Sequence, residues 1–374
     1  MADYPATRMR DDNRKRVFDF IRREKIVTRT MIQKEISISS PTVMKIVKFF
    51  EEKRIVTPYG ELSKDGPGRK LEQLQFNSKA AYAIGIVFEG HFLHVGVVSL
   101  GGEIVFSDLK YYEQLDSLEV ASSDLLIPVI QETLQASTIA VSSILGVGLG
   151  IPKIADTQAQ SIHSFYHRET QYSYKEISLD IERAFGFPLF VENDVNAETI
   201  GEYYLRNLPL SADLLYMSLG SGLGAGLILE GSIRRGFHFS AGEIGHMLTN
   251  CTDDVVQFED LVGLQTIRRK WHLSSTDTLD TVKASTQQEI IAYLAKILSW
   301  CIVNVVVLLD VDLMVLGGIT AQALGDDLIA AIKGYTSELL TFDIDLQASD
   351  SSKAGLVGSA MMVIDNCLDT YLGG

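Results

Sequence analysis

Hydroxyl and cationic side chains gather around residue 40, and their types suit contact with a nucleic-acid backbone. The turn Ser37-Ile38-Ser39 leads into a predicted helix in which Ser40 is the expected N-cap. Short polar side chains at this point let a helix N-terminus approach phosphates and base edges in a major groove. The predicted DNA contacts are Ser39, Ser40, Thr42, Lys45, Lys48, Arg69 and Lys70.

Three predicted helices and a hairpin hold these side chains. Apolar residues recur at helical spacing over 12–23, a second helix is predicted over 28–36, and a third begins at Ser40. Two short strand patterns, at 55–60 and 71–76, flank a Gly/Pro turn that carries cations. Helix, tight turn, helix and hairpin together predict a winged helix. Its wing places Arg69 or Lys70 along a DNA backbone or in a minor groove.

Charge is divided unequally along the chain. Residues 1–70 contain 17 Lys and Arg against 10 Asp and Glu, whereas the rest contains 16 against 38. A chain with a net charge of −15 repels phosphate as a whole, so a cationic first segment indicates that only this end meets nucleic acid. The alternative is a three-helix interaction module whose charges are merely solvated.

Composition limits the class of protein. A length of 374 residues predicts two or three domains. No stretch reaches the roughly 18 uncharged apolar residues of a membrane span, and the N-terminus lacks an apolar signal core. Three scattered cysteines form neither a disulfide framework nor a close metal cluster. These features predict a cytoplasmic protein with no membrane partner.

From residue 80 onward, strand and helix patterns alternate, which indicates an α/β architecture. One turn, Gly220-Ser221-Gly222-Leu223-Gly224-Ala225-Gly226, lies between two apolar strands. Its backbone N–H groups can approach an oxyanion such as phosphate, although hairpins use glycine as well. A later apolar strand ends in Gly317-Gly318 before another helix.

The ordered set of motifs resembles the ROK family (repressors, open reading frames and sugar kinases), in its transcriptional-regulator branch. The resemblance spans nearly the whole chain. It rests on the winged helix and on Glu192-Asn193-Asp194-Val195-Asn196-Ala197, Leu219-Gly220-Ser221-Gly222-Leu223-Gly224, Ser240-Ala241-Gly242-Glu243-Ile244-Gly245-His246-Met247 and Leu316-Gly317-Gly318.

The resemblance implies an α/β fold in which a winged helix-turn-helix precedes a two-lobed, actin-like (ribonuclease H-like) sugar-kinase body with a sugar cleft between its lobes. The implied domains are residues 1–76, a small lobe over 77–195 with a last helix at about 355–372, and a large lobe over 196–354. It also implies homodimers or homotetramers formed through the body.

The resemblance also implies which side chains meet a sugar. These are Asn193, Asp194, Glu243, His246 and Glu259, with Asp194 at the position of the catalytic base in kinase members. Carboxylates, amides and imidazoles bond pairs of vicinal hydroxyls, and an unmatched buried polar group is costly. Asp260 is an alternative to Glu259. A helix N-cap is the alternative role for Asp194, and a core histidine is the alternative for His246.

Two departures from the family pattern predict lost chemistry. Kinase members carry Asp-x-Gly-x-Thr in the first strand of the body, where this chain has Val87 and His91 in place of the Asp and Thr. An apolar side chain cannot coordinate Mg²⁺, so no ATP-dependent phosphorylation and no catalytic residue are expected. The family zinc set of one His and three Cys keeps only His246 and Cys251, with Asp253 at the second Cys position, so no zinc is expected.

These observations predict a transcriptional regulator, most simply a repressor of carbohydrate-utilisation genes, that binds operator DNA and a sugar or sugar phosphate. The first alternative is an active ATP-dependent sugar kinase with a regulatory DNA-binding head. The second is a regulator that no longer binds sugars and responds to a phosphocarrier protein.

Overall fold

The computed structural model describes residues 5–62, 71–89, 91–112, 122–166, 170–250, 255–274, 277–349 and 353–372. Residue contacts divide the chain into two units. Unit 1 holds Met1–Ile151, Tyr172–Glu192 and Ser359–Gly374, and unit 2 holds Pro152–Gln171 and Asn193–Gly358. The division into three domains that the sequence suggested stays a prediction.

Unit 1 begins with the head, which is built from α1 (Pro5–Glu24), β1 (Ile26–Thr28), α2 (Arg29–Ile36), α3 (Ser40–Glu52), β2 (Val56–Leu62) and β3 (Leu71–Phe76). The three strands form one sheet in the order β1-β3-β2. Strand β1, which the sequence did not reveal, pairs Thr28 with Gln73. The Thr28 side chain also caps α2 by accepting a hydrogen bond from Met31 N. Thr28 therefore connects β3 of the wing with α2, the first helix of the helix-turn-helix.

The head has its own apolar core. The buried residues of α3, Val43, Ile46, Val47 and Phe50, repeat at the 3–4-residue spacing that places side chains on one helix face. Phe18 of α1 lies edge-on to Phe50, with ring centroids 6.4 Å apart. Because these residues face inward, the opposite face of α3 is left to solvent.

After the head, the strands and helices in chain order are β4 (Tyr82–Glu89), β5 (Phe92–Ser99), β6 (Ile104–Tyr111), α4 (Ser123–Ser137), β7 (Ile144–Ile151), β8 (Ile154–Asp156), β9 (Ser161–His163), β10 (Tyr172–Ser173), α5 (Lys175–Phe185), β11 (Leu189–Asn193), α6 (Asp194–Leu205), β12 (Leu214–Leu219), β13 (Leu223–Leu229), β14 (Ser232–Ile233), β15 (Leu248–Thr249), β16 (Val256–Gln257), α7 (Phe258–Val262), α8 (Leu264–Lys270), α9 (Ala284–Leu309), β17 (Leu313–Gly317), α10 (Ile319–Leu339), β18 (Leu346–Ala348) and α11 (Ala354–Leu372).

Two five-stranded sheets have the same topology. The sheet of unit 1 has the order β11-β7-β4-β5-β6, and the sheet of unit 2 has the order β18-β17-β12-β13-β14. In each sheet the first strand pairs antiparallel with the second and parallel with the fourth: β4 with β5 and β7, and β12 with β13 and β17. The two units therefore share one repeated sheet topology, which the sequence analysis did not predict.

In unit 1 a small residue lets the last helix approach the sheet. A Cβ placed on Gly148 of β7 would lie 1.9 Å from the backbone oxygen of Ser359 in α11. Near the other end of α11, the Lys53 ammonium lies 5.4 Å from the ring centroid of Tyr371, which brings the head against the same helix. Asp19 of α1 is 5% exposed. Burial raises the pKa of its carboxyl, and the charge of Asp365 in α11 raises it further.

Unit 2 is centred on α9. This helix is long and apolar enough to cross a membrane by length and composition, with a mean hydropathy of 2.1, but 61% of that stretch is buried inside the protein. Its buried residues, among them Leu294, Leu298 and Ile302, join one apolar cluster with β12, β17 and α10. The helix therefore belongs to the core of the unit.

Candidate functional site

The exposed face of α3 carries most of the predicted DNA contacts. Ser39, Ser40, Lys45 and Lys48 are exposed, and Thr42 is half-buried. The Lys48 side chain is 78% exposed and lies 4.0 Å from Glu52. Met44, which the sequence reading passed over, is 61% exposed on this face. Arg69 and Lys70 lie outside the described residues.

Ser39, and not Ser40 as the sequence suggested, is the N-cap of α3. Ser39 has an extended backbone (φ −67°, ψ 149°), and its side chain accepts a hydrogen bond from Thr42 N. Its hydroxyl also lies 2.8 Å from Thr42 Oγ1. The prediction was wrong by one residue because adjacent serines satisfy the same rule, and Pro41 is tolerated at either of the first two helical positions. Two of the three hydroxyls on this face therefore already bond each other.

The start of α6 orients the first two predicted sugar ligands. Asn193 is the N-cap: its Oδ1 accepts from Asn196 N at 3.0 Å, and its Nδ2 donates to Lys153 O at 3.3 Å. Asp194 is the first helical residue, and its Oδ1 accepts from Val195 N at 2.9 Å. The capping role considered for Asp194 thus belongs to Asn193. Both ends of the Asn193 amide contribute to the fold.

The pKa of the Asp194 carboxyl is raised. Removal from water raises its pKa to about 6, and hydrogen bonds from the backbone N–H groups of Val195 and of Asp194 itself oppose the rise. Burial raises the pKa of Glu243, His246 opposes the rise, and the charges of Asp194 and Glu259 add to it, so the carboxyls of Asp194 and Glu243 are close enough to interact. A group with a pKa near neutrality is suited to accept hydrogen bonds from a polar ligand or to take up a proton.

Two glycines place the segment that carries Glu243 and His246 against β13. Gly242 has φ +93°, and a Cβ on it would lie 1.9 Å from Ala225 O. Its own carbonyl accepts from Ala225 N at 2.8 Å. A Cβ on Gly245 would lie 2.2 Å from Leu223 O. Only glycine permits these approaches, which explains why Glu243 and His246 are flanked by Gly242 and Gly245.

Glu259, and not Asp260, faces this segment. Glu259 Oε1 lies 3.2 Å from His246 Nδ1. Asp260 is exposed, and its Oδ2 accepts from Gln257 N to close the capping box of α7. The fully buried Phe258 and Val262 fix the helix between them. The structure thus places Glu259 beside His246 and uses Asp260 in the helix cap, and the sugar contact of Glu259 stays a prediction.

Residues far apart in the sequence surround the His246 ring. Its Nδ1 lies 3.0 Å from Gln257 Oε1 and 3.1 Å from Tyr166 Oη. The Phe165 ring stacks on it at 4.2 Å between centroids and 28° between planes. The Tyr166 ring meets it edge-on at 4.9 Å. Sequence reasoning missed Phe165, Tyr166 and Gln257, and no local pattern marks them.

A separate cavity of about 310 Å³ lies at the start of α10. Arg268 and Thr320 line it, and neither Arg268 Nε nor Thr320 Oγ1 has a hydrogen-bond partner among the described residues. Gly318, which precedes α10, has φ +86° and provides no side-chain cap. Polar atoms at this cavity are therefore available to a ligand.

The model of the ROK family matches residues 84–366. The chain belongs to the ROK family. Among curated ROK relatives, the xylose repressor of Caldicellulosiruptor bescii is 27% identical over 252 residues, covering 67% of this chain and 61% of its own length. The xylose repressor of Bacillus subtilis is 25% identical over 237 residues, covering 63% of this chain and 60% of its own length. The chain therefore spans about three fifths of the length of these relatives.

Solved structures extend the similarity to the whole chain. A ROK family transcriptional regulator, described as a homologue of the Escherichia coli MLC protein, matches with a TM-score of 0.75 and 19% identity over 97% of this chain and 98% of its own. A ROK family glucokinase from Streptomyces griseus, solved with glucose and AMPPNP, matches with a TM-score of 0.59 and 20% identity over 75% of this chain and 99% of its own. The predicted fold class, a winged head before an actin-like body, is confirmed.

In this ROK chain the residue at the kinase Asp position is part of the core of unit 1. Val87 is 1% exposed, pairs with His94 of β5 and with Gly150 of β7, and provides no oxygen for a metal. His91 is exposed, while Gly90 and the side chain of Glu89 lie outside the described residues. The described part of this loop does not fit the Mg²⁺–ATP role.

The described residues also do not fit the ROK zinc set. Cys251 and Asp253 lie outside them, and within them no three His, Cys, Asp or Glu side chains are placed to hold a metal ion. Around His246 Nδ1 the oxygens come from an amide, a phenol and a carboxylate, whereas structural zinc takes Cys and His. The absence of zinc stays a prediction.

Proposed function

We propose that this protein is a cytoplasmic, sugar-responsive transcriptional repressor that acts as a homodimer or homotetramer. The winged head binds operator DNA, and the cluster formed by Asp194, Glu243, His246 and Glu259 binds the sugar effector. The observation that carries the proposal is this convergence of hydrogen-bond acceptors beside the capped start of α6. Neither zinc nor ATP is needed for this function.

The head supports the DNA half of the proposal. The face of α3 opposite its buried stripe bears Lys45 and Lys48 with no nearby apolar element to cover it within the described head. Lysine side chains neutralise phosphates, which provides most of the non-specific affinity for DNA. The two relatives named xylose repressors support a repressor more than an activator.

The site supports an uncharged sugar over a sugar phosphate at the cluster itself. Three carboxylates, of Asp194, Glu243 and Glu259, repel an anion, while each accepts hydrogen bonds from hydroxyls. The amine of Lys153 contacts Ser164 Oγ at 3.2 Å. Because relatives are named for xylose, D-xylose is the first sugar to test.

A thermal-shift screen of neutral sugars and their phosphates tests the effector. D-xylose or a related neutral sugar is expected to raise the melting temperature in proportion to its concentration relative to its dissociation constant. The Asp194→Asn variant, altered in the proposed site, is expected to show a smaller shift at the same sugar concentration. If no sugar stabilises the wild type, the proposal that this protein binds a sugar effector is wrong. A shift produced only by a phosphocarrier protein would instead establish a regulator that no longer binds sugars.

Selection from a random duplex pool tests the DNA half. The wild type is expected to enrich a roughly two-fold-symmetric sequence, and the sugar found above is expected to change its affinity for that duplex. Lys45→Ala is expected to weaken binding and to reduce the salt dependence by about one phosphate contact. Lys333→Ala, on the exposed part of α10 in unit 2, is the control. Failure to enrich any duplex would overturn this half.

A sugar kinase with a regulatory head is the second candidate. The raised pKa of Asp194, to about 6, suits a general base, and the cavity at the start of α10 offers polar atoms to a second ligand. The buried Val87 argues against it, because metal-assisted phosphoryl transfer needs a charged ligand there. A coupled assay with ATP and the sugar is expected to show no turnover. Turnover that Asp194→Asn abolishes would establish the kinase instead.

A further inference from the structure

The two nitrogens of the His246 ring have different surroundings. Nδ1 lies within 3.2 Å of three oxygens: Gln257 Oε1, Tyr166 Oη and Glu259 Oε1. Nε2 faces the other way, and Glu243 Oε2 lies 3.6 Å from it. One nitrogen is thus enclosed by the protein, and the other lies on the side of the carboxyls proposed to bind the sugar.

The oxygens around Nδ1 determine where the ring proton is. The Gln257 carbonyl oxygen can only accept, and so can an ionised Glu259. Tyr166 donates its single proton to Gln257 Oε1 at 2.5 Å, which leaves its oxygen lone pair for Nδ1. Since all three neighbours accept, Nδ1 must donate. A neutral ring then keeps its lone pair on Nε2.

We propose that Tyr166 and Gln257 are positioning residues that hold His246 as the Nδ1–H tautomer, so that Nε2 accepts a hydrogen bond from a sugar hydroxyl. This inference rests on the proposed sugar site and names the role of one of its members. The site then offers only acceptors: three carboxylates and one imidazole nitrogen. Its ligand is a molecule with several neighbouring hydroxyl donors.

The contacts around Nδ1 fix this ring in a different way from a metal ion. A metal ion on one imidazole nitrogen would use its lone pair and leave the ring proton on the other nitrogen. Here the amide and phenol oxygens fix the tautomer, and the stacked Phe165 ring restrains the plane at 4.2 Å. A site built in this way needs no metal to present Nε2 to a ligand.

Nitrogen-15 NMR of protein labelled at histidine tests the tautomer directly. His246→Gln identifies the signals of this ring among those of the seven histidines. In the wild type we expect a protonated Nδ1 and an unprotonated Nε2, with only the Nε2 signal moving when D-xylose, or the sugar found by the screen, is added. A protonated Nε2 in the neutral wild-type ring would overturn the inference.

Tyr166→Phe is the sharpest variant, because it removes one oxygen and keeps the ring. Tyr166 is 56% exposed, so folding is expected to be unaffected. We expect the two tautomers to mix and sugar affinity to fall about threefold to tenfold, the range of one neutral hydrogen bond. Gln257→Leu should likewise mix the tautomers and weaken sugar binding. Gln257→Glu, which keeps an accepting oxygen, should retain the Nδ1–H signal of the wild type. Tyr111→Phe, at an exposed tyrosine of β6, is the matched control.

Deoxy sugars separate a positioning role from a merely structural one. The deoxy form that lacks the hydroxyl at Nε2 should bind the wild type more weakly than the parent sugar, and this ratio should shrink in Tyr166→Phe. An unchanged ratio with an unchanged NMR spectrum would overturn the inference. If the wild type binds no sugar yet shows the Nδ1–H tautomer, the proposed function is wrong, while the positioning of His246 by Tyr166 and Gln257 is confirmed.

Discussion

Two carboxyls, one in each unit, have pKa values raised by burial, and they differ in what surrounds them. Asp19 of α1 has a pKa of about 7, and Asp194 of α6 has a pKa of about 6. Asp19 is 5% exposed, whereas Asp194 is only half-buried. Both pKa values are therefore raised well above 3.8, but Asp194 as a residue is less enclosed than Asp19.

Their neighbours differ as well. At Asp19, burial is followed by the charge of Asp365, which raises the pKa further, while Arg22, Lys15 and Arg23 lower it. Asp19 Oδ2 has no hydrogen-bond partner among the described residues. Asp194 accepts from a backbone N–H and lies in a group of acceptors with His246. A raised pKa by itself thus does not mark a candidate site, and the polar groups that converge beside Asp194 distinguish it from Asp19.

The largest expected effect is on stability, from Asp19→Asn. Because the folded pKa lies above the ordinary value of 3.8, the folded protein binds this proton more tightly, and stability falls as pH rises from about 4 to about 7. A pKa raised from 3.8 to about 7 corresponds to at most about 4 kcal/mol of unfolding free energy. Asp19→Asn should therefore stabilise the protein at pH 8 by up to that amount and flatten this pH dependence.

Urea unfolding at pH 5.5 and pH 8 measures this effect. Far-UV circular dichroism is the suitable signal, because both tryptophans, Trp271 and Trp300, belong to unit 2. Asp108→Asn, at an exposed carboxyl of β6, is the control. A variant less stable than the wild type at pH 8 would mean that attraction to Arg22 outweighs burial.

Asp194→Asn should give the next largest effect, and on ligand affinity instead of stability. Hydrogen bonds to a charged acceptor contribute about 1.5–3 kcal/mol, so sugar affinity should fall about tenfold to 100-fold. Titration calorimetry measures the loss, with Asp19→Asn expected to bind normally. Equal loss in both variants would erase the distinction between the two carboxyls.

Asp365→Asn should reproduce part of the Asp19→Asn effect. Burial is the largest cause of the raised pKa of Asp19, and the charge of Asp365 is second. Removing that charge should lower the pKa of Asp19 and stabilise the protein at pH 8 by roughly 1 kcal/mol or less. The same urea titrations apply. A larger effect than that of Asp19→Asn would show that repulsion, and not burial, dominates this contact.

The smallest effect is the pH dependence of sugar binding. Hydroxyls donate to the ionised form of Asp194, so protonation competes with the ligand as pH falls through about 6. Affinity at pH 5.5 should be about fourfold below its value well above pH 6. Calorimetry on the Asp194→Asn variant should give a flat profile. A wild-type affinity that rises on acidification would contradict an ionised acceptor.

Sequence patterns anticipated the parts of the molecule that depend on local rules. The helix-turn-helix, the glycine turn and the apolar strands follow from periodicity, capping and turn chemistry, and the family resemblance added the winged head before an actin-like body. The error lies where two neighbours satisfy one rule equally: Ser39 and Ser40 both cap well, and the structure uses Ser39.

The remaining site residues depend on contacts that no local pattern encodes. Tyr166 and His246 are 80 positions apart, and an exposed tyrosine after a short strand has no distinctive spacing. Gln257 is visible in the sequence only as a residue before a helix. Its second contact, to His246, accompanies the pairing of β15 with β16, in which Gln257 lies opposite Leu248. These long-range contacts are therefore visible only in the three-dimensional structure and cannot be predicted from residue spacing.

The separation of α3 into a buried face and an exposed face has a consequence for engineering. The four buried residues, Val43, Ile46, Val47 and Phe50, hold the helix in the head, and the outward residues Ser40, Pro41, Met44, Lys45 and Lys48 contribute nothing to that core. Substitutions on the outward face can therefore be combined freely without a matching change inside. Under the proposed function, this outward face would set the preferred operator, and changing a few of its side chains would change that preference without altering the core of the head.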